Sequence, residues 1–184
     1  MSRIGKKPII LSDKVSVKKI DDSLLEINGP KGVVSFRLPL DFRLEINENV
    51  LTILPTGNLT KRNKAIYGTL RALLNNKIIG VEHGFEKILI LEGLGYSAEV
   101  KEGKIFLKVG FSRPVELDIP KDINVEVKQE KGRSLIYVRG IDKEKVGNFA
   151  AKIKKVKKAD RYHAKGFRYI DEIIKLKPVK KSVK

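Results

Sequence analysis

Leu38-Pro39-Leu40-Asp41 followed by Leu44-Glu45-Ile46, and Ile119-Pro120-Lys121-Asp122 followed by Val125-Glu126-Val127, are one pattern written twice at an offset of 81 residues. A repeat divides a chain more firmly than composition does, because each copy is one folding unit. Each copy continues into a short apolar strand, Leu51-Thr52-Ile53-Leu54 and Leu135-Ile136-Tyr137-Val138, and then reaches a glycine, Gly57 and Gly140. Beyond the glycine the apolar period changes from two to the helical one. Ile66, Leu70, Leu73 and Leu74 in the first copy, and Val146, Phe149, Ala150 and Ile153 in the second, form one apolar face each. Asn58 and Asp142 stand where an N-cap is expected.

Ahead of each helix the sequence alternates strands with glycine-containing turns. Leu24 to Asn28, Gly29-Pro30-Lys31-Gly32 and Val33 to Leu38 make one such run. Lys87 to Leu91, Tyr96 to Val100, Glu102-Gly103 and Ile105 to Val109 make the other. Turns of this kind join antiparallel strands. Strands in groups with one helix per copy specify an α+β fold rather than a doubly wound parallel sheet. The expected architecture is two tandem repeats, each a small, mainly antiparallel sheet on one helix, over residues 1–80 and 81–184, with a basic C-terminal extension.

The chain has 184 residues, 39 Lys and Arg against 22 Asp and Glu, a net charge of +17 and 41% hydrophobic residues. That hydrophobic content supports a folded core. The charge is uneven: residues 1–80, 81–142 and 143–184 carry +7, −1 and +11. Concentration at one end implies a polyanionic partner there, where a uniform surplus would only aid solubility. With no Cys and 2 His, the sequence offers no disulfide, thiolate site or ordinary zinc site, so no metal or cofactor is expected. No apolar run approaches the roughly 20 residues of a spanning helix, and Met1 to Pro8 lacks the apolar stretch of a secretion signal. Synthesis and work are therefore expected to share one compartment, the cytoplasm or, for an organellar chain, the stroma or matrix, with no membrane partner.

Motifs for chemistry are missing. Gly93-Leu94-Gly95 lacks the third glycine of a dinucleotide fingerprint, with Ala98 in its place, and reads as a tight turn. His83 and His163 have no triad pattern around them. The adjacent acids Asp21-Asp22 and Asp171-Glu172 point to opposite sides of an element rather than into one site. No enzyme and no small-molecule substrate are expected.

The constellation that stands out runs over residues 152–169. Lys152, Lys155, Lys157, Lys158, Arg161, Lys165 and Arg168 supply charge, and Tyr162, Phe167 and Tyr169 interrupt it. Cations neutralise phosphates and release counterions, and aromatic rings stack on unpaired bases. Gly166 would let the backbone approach a phosphate. The other reading of the same residues is a terminal strand in which Phe167 and Tyr169 alternate inward. As a whole the cluster points to RNA rather than to duplex DNA.

Met1-Ser2-Arg3-Ile4-Gly5-Lys6-Lys7-Pro8-Ile9, Asn28-Gly29-Pro30-Lys31-Gly32, Gly95-Tyr96, Gly110-Phe111-Ser112-Arg113-Pro114-Val115, Gly140-Ile141-Asp142-Lys143 and the stretch from Tyr162 to Tyr169 together resemble the large-subunit ribosomal protein L-six family, in its bacterial and organellar form. The family signature P-E-P-Y-K-G-K-G-I-R-Y meets matches at Tyr162, Lys165, Gly166, Arg168 and Tyr169. It meets departures at Ala159, Arg161, His163, Ala164 and Phe167. The resemblance implies two repeats of sheet plus helix and a structural, non-enzymatic role in the large ribosomal subunit. The partners it implies are large-subunit rRNA, neighbouring ribosomal proteins and translation factors docking near the sarcin-ricin loop. The RNA contacts implied are Ser112 and Arg113, Lys143, and Lys152, Lys155, Lys157, Lys158, Arg161, Tyr162, His163, Lys165, Gly166, Arg168 and Tyr169, with Arg3, Lys6 and Lys7 as a basic arm. The alternative is a free RNA-binding chaperone or nucleoid-associated protein using the same surface.

Overall fold

The computed structural model describes residues 3–57, 60–130 and 132–178, with the side chains of Arg3, Ile4 and Arg62 outside the described set. The chain forms two compact units, one of residues 1–84 with 141–143, the other of residues 85–140 with 144–184. The fold is α+β, and every strand pairing within its four sheets is antiparallel.

In the first unit, α1 (Arg3–Lys6) leads into β1 (Ile9–Ile10), β2 (Ser16–Lys19), β3 (Leu24–Gly29), β4 (Gly32–Arg37), β5 (Phe42–Asn47), β6 (Val50–Pro55) and α2 (Lys61–Glu82). The sheets are ordered β1-β6-β5 and β2-β3-β4. Tyr67 anchors the core: its ring stacks on Phe42 at 5.8 Å, and its hydroxyl donates to the Ile53 carbonyl at 2.8 Å. The face of Gly5 lies so close to the Tyr67 ring that a Cβ there would collide with it, which seats α1. The Gly29-Pro30-Lys31-Gly32 turn docks on the end of α2, where Lys31 N–H donates to the Val81 carbonyl at 2.9 Å.

Two details of α2 differ from the sequence expectation. Asn58 lies outside the described residues; the cap is Thr60, whose hydroxyl accepts from the Asn63 amide at 3.2 Å. The buried stripe is Tyr67, Leu70, Leu74, Ile78 and Val81, and Leu73, expected inside, is 39% exposed. A helix of 22 residues carries its apolar line along the i, i+3, i+7 and i+11 track set by Tyr67, and Leu73 falls off that track.

The second unit contains β7 (Phe85–Glu92), β8 (Ser97–Lys101), β9 (Lys104–Lys108), β10 (Val115–Asp118), β11 (Ile123–Glu130), β12 (Arg133–Gly140), the body of α3 (Lys143–Val156) and β13 (Gly166–Tyr169). Its sheets are ordered β11-β12-β7-β13 and β10-β9-β8. Val146, Phe149, Ala150 and Ile153 of α3 are buried, as their spacing predicts, in one core with Leu89, Leu91, Ile136, Val138 and Phe167. The repeated proline motif makes the same turn twice: Phe42 N–H donates to the Pro39 carbonyl at 3.0 Å and Ile123 N–H to the Pro120 carbonyl at 2.9 Å. Asp142 directly precedes α3, and its carboxylate pairs with Lys77 at 2.5 Å.

Candidate nucleic-acid interface

The second unit brings three loops to one end. Tyr96, after the β7–β8 turn, lies against Gly93 and Gly110, where any Cβ would press into its ring. Phe111, in the loop before β10, sits under the Lys157 ammonium, 5.5 Å from its ring centre. Ser112 and Arg113 are exposed on that loop, so the ring contact sets them beside the stretch that leaves α3. Sequence spacing of more than 40 residues separates these partners, and only the fold joins them.

Residues 157–165 form a loop tied at both ends. Phe167 N–H donates to the Lys157 carbonyl at 2.8 Å, Ala159 N–H to the Phe167 carbonyl at 3.2 Å, and Asp160 N–H to the Lys165 carbonyl at 3.0 Å. Between those ties the Asp160 side chain braces the turn. Its carboxylate accepts from the His163 amide at 3.0 Å and lies 3.2 Å from the His163 ring Nδ1. Desolvation works against ionisation of Asp160, but the amide hydrogens of His163 and Tyr162 and the imidazole outweigh it, so its carboxyl lies below the ordinary value.

The predicted contact residues separate into three groups. Lys152, Lys155, Lys158, Arg161 and Lys165 are exposed, and among the described residues none of them is in an ion pair. Tyr162 beside them is 50% exposed, and His163 is exposed. The second group belongs to the fold itself. Arg168 donates to Glu92 at 3.1 Å, and the Tyr169 ring carries the ammonium groups of Lys154 and Lys87 at 4.6 and 5.5 Å. Phe167 is wholly buried, so its ring is core and not a stacking surface. Gly166 has φ +130°, and a Cβ on it would stand 2.6 Å from the Lys157 carbonyl oxygen. The protein's own backbone, not a phosphate, therefore requires glycine there. In the third group, Lys6, Lys7 and Lys143 fall in the first unit. The first two are exposed, and the Lys143 ammonium donates to Asn76 at 3.4 Å. The Arg3 side chain lies outside the described residues.

Arg133 is not among the residues that the sequence singles out. Arg133 pairs with Glu92 at 2.7 Å, so this one carboxylate on β7 holds a guanidinium from each neighbouring strand, Arg133 of β12 and Arg168 of β13. The signal was an arginine beside a glycine at a hairpin end, which alone is indistinguishable from a solvated turn. Among the described residues no group of three His, Asp or Glu could hold a metal ion, and no helix is long and apolar enough to cross a membrane.

Comparison with known proteins identifies the family. A family model described as ribosomal protein L6 matches residues 92–170, the span holding all three loops. The large ribosomal subunit protein uL6 of Clostridioides difficile is 40% identical over 178 residues, 96% of each chain. That of Caldicellulosiruptor saccharolyticus is 41% identical, covering 96% of this chain and 94% of the relative. That of Thermosipho melanesiensis is 38% identical, covering 99% of this chain and all of the relative. Identity at this level over nearly the full length of bacterial relatives, on an α+β fold of two repeats, establishes that the chain belongs to the ribosomal protein L6 family.

Proposed function

We propose that the protein is a structural constituent of the large ribosomal subunit, working on the cytoplasmic ribosome, and that it holds large-subunit rRNA with the end of its second unit. The family is one of structural, non-enzymatic proteins. The observation that carries the RNA reading is the set of exposed cations Lys152, Lys155, Lys158, Arg161 and Lys165, unpaired among the described residues. Elsewhere in the same unit Lys101, Lys104, Lys128, Arg139 and Lys145 each face a carboxylate. A cluster of like charges repels itself, and a polyanion relieves that cost while releasing its own counterions. Tyr162 offers a ring for an unpaired base. Ser112, Arg113 and Lys157 extend the surface, while Gly166, Arg168 and Tyr169 hold its shape. The first unit, with Lys6, Lys7, Lys143 and the arm at Arg3, serves as a secondary contact and faces neighbouring ribosomal proteins. From this position the protein helps organise the translation-factor-binding side near the sarcin-ricin loop.

The test is charge reversal where reversal spares the fold. Arg168 is unsuitable, because a glutamate there would face Glu92. Lys158→Glu with Lys165→Glu leaves every described ion pair intact. The double variant is expected to weaken binding to large-subunit rRNA and to reduce the log–log salt slope by about 1.5, near 0.7 to 0.9 per lost phosphate contact. An unchanged slope would remove these residues from the interface. Sedimentation of cell lysate through a high-salt gradient checks the assembly: residence in the large-subunit peak is expected, and a position at the top of the gradient would favour a free RNA chaperone.

A further inference from the structure

We infer that a groove beside the cation cluster, walled by the Gly93-Leu94-Gly95 turn, the Gly132-Arg133 hairpin end and the loop at His163 to Lys165, seats a single unpaired nucleotide of the bound rRNA. The inference rests on the RNA reading above and adds to it a specific seat where the end of the basic loop, at His163 to Lys165, meets two glycine turns. The groove is open and has a volume of about 450 Å³, inside the range of roughly 300–1,000 Å³ that small ligands occupy.

Its walls have three properties that a nucleotide uses together. First, they are bare. Gly95 and Gly132 have φ of +74° and +77°, which fits glycine to both turns, and a Cβ on either would meet nothing within 4 Å. Backbone so uncovered can approach a phosphate closely. Secondly, cations converge from two sides. Arg133 is held by Glu92, and Lys165 comes from the loop before β13. The carboxylate of Glu92 also lines the groove, but its other oxygen is engaged by Arg168, so two guanidinium groups offset one negative charge. The Nδ1 edge of His163 is occupied by Asp160, which leaves the other ring nitrogen for a ligand. Thirdly, Leu94 is 95% exposed at the same mouth. An apolar side chain there serves no core and adds nothing for a bare phosphate, but it offers a surface to a ribose or a base. Cations, open backbone and one apolar contact therefore match a whole nucleotide better than an inorganic anion. A paired nucleotide cannot enter, since its base is stacked within a helix.

The experiment uses the full chain with two probes, a large-subunit rRNA transcript and a blunt RNA duplex without unpaired residues. Leu94→Ala and Arg133→Gln are each expected to weaken binding to the transcript by on the order of tenfold, the low end of what one aromatic stacking contact contributes, and to leave duplex binding nearly unchanged. Lys152→Gln, away from the groove, is expected to weaken both probes alike. Thermal unfolding of Leu94→Ala should match the parent, because the side chain packs against nothing, so a misfolded variant does not confuse the result. Equal loss on both probes, or no loss with the transcript, overturns the nucleotide seat while the wider interface stands. If a free nucleoside monophosphate at millimolar concentration competes with the transcript as well as unlabelled rRNA does, the groove is a small-molecule site and the inference fails. Parent protein that binds neither probe would instead overturn the RNA reading itself.

Discussion

Ala164, near the end of the 157–165 loop, and Gly166, the first residue of β13, both have a backbone conformation that favours glycine, and only the second is one. At Gly166, φ is +130° and the space for a Cβ is filled by the carbonyl oxygens of Lys157 and Lys158 at 2.6 and 2.7 Å. The nearer oxygen is held in place, because the Lys157 carbonyl accepts from Phe167 N–H within the tie that closes the loop. Gly166→Ala is therefore expected to lower stability by about 3 kcal/mol, a backbone-strain cost of order 1–3 kcal/mol plus the collision. Ala164 already occupies a left-handed conformation, φ 57°, which favours glycine. Ala164→Gly should relieve that strain but also increase the freedom of the unfolded chain, so the gain is expected to be under about 1 kcal/mol. Denaturant titration of both variants checks the pair; a stabilised Gly166→Ala would contradict the close packing. The sequence marked Gly166 as special but suggested the wrong neighbour, since a tight approach to one's own chain and a tight approach to a phosphate demand the same residue.

Elements were legible in proportion to how much of their stabilisation is local. The apolar face of α3 could be read off its spacing, because its four core residues fall on one line within two turns. β13 was harder. Its four residues do not alternate, two being buried and the next two half-buried, and its partner β7 is more than 70 residues away, so pairing rather than pattern creates it. Beyond β13 the chain is held by Ile170 N–H on the Ile88 carbonyl at 3.1 Å, Lys177 N–H on the Arg161 carbonyl at 2.9 Å, and Glu172. The Glu172 carboxylate pairs with Lys154 at 2.6 Å and accepts from the Tyr169 amide at 3.1 Å. Lys154, with the Tyr169 amide and despite partial desolvation, holds its carboxyl below the ordinary value. A depressed folded-state pKa contributes stability above the unfolded value, about 4.3 for glutamate, and loses it as pH falls through the folded one. The side chain is 39% exposed, so the effect is a local loosening rather than global unfolding. Amide exchange at Ile170 and Lys177, corrected for intrinsic rate, is expected to accelerate below about pH 4 while that of Leu89 does not. Glu172→Gln should remove the pH dependence; if it persists, another group controls the segment.

At the scale of the whole molecule there are two cores: one gathers around Tyr67, Leu74 and Leu51, the other around Phe149, Phe167 and Leu89. The repeat in the sequence announced both, but not that the short stretch 141–143 groups with the first unit, since that depends on long-range partners such as Lys77. Separate cores let the two units report separately on binding. A ligand that binds only the folded form stabilises what it touches by RT ln(1 + [L]/Kd), about 2.7 kcal/mol at a hundredfold excess over Kd. If rRNA is held by the end of the second unit, adding it at that excess should raise the opening free energy of Leu89 and Ile136 amides by about that amount. The amides of Leu74 and Ile78 in α2 should change much less. Native-state hydrogen exchange measures both in one sample. Equal protection of both units would move the secondary contacts at Lys6, Lys7 and Lys143 to the same rank as the cation cluster. Protection confined to α2 would reverse the assignment altogether. Because the second unit carries the cluster of self-repelling cations, its free-state opening energy should also rise with added salt. The RNA-dependent increment should fall as salt displaces the same phosphates. Those opposite salt trends separate relief of repulsion from binding, and a binding increment insensitive to salt would place the contact on apolar groups rather than on Lys158 and Lys165.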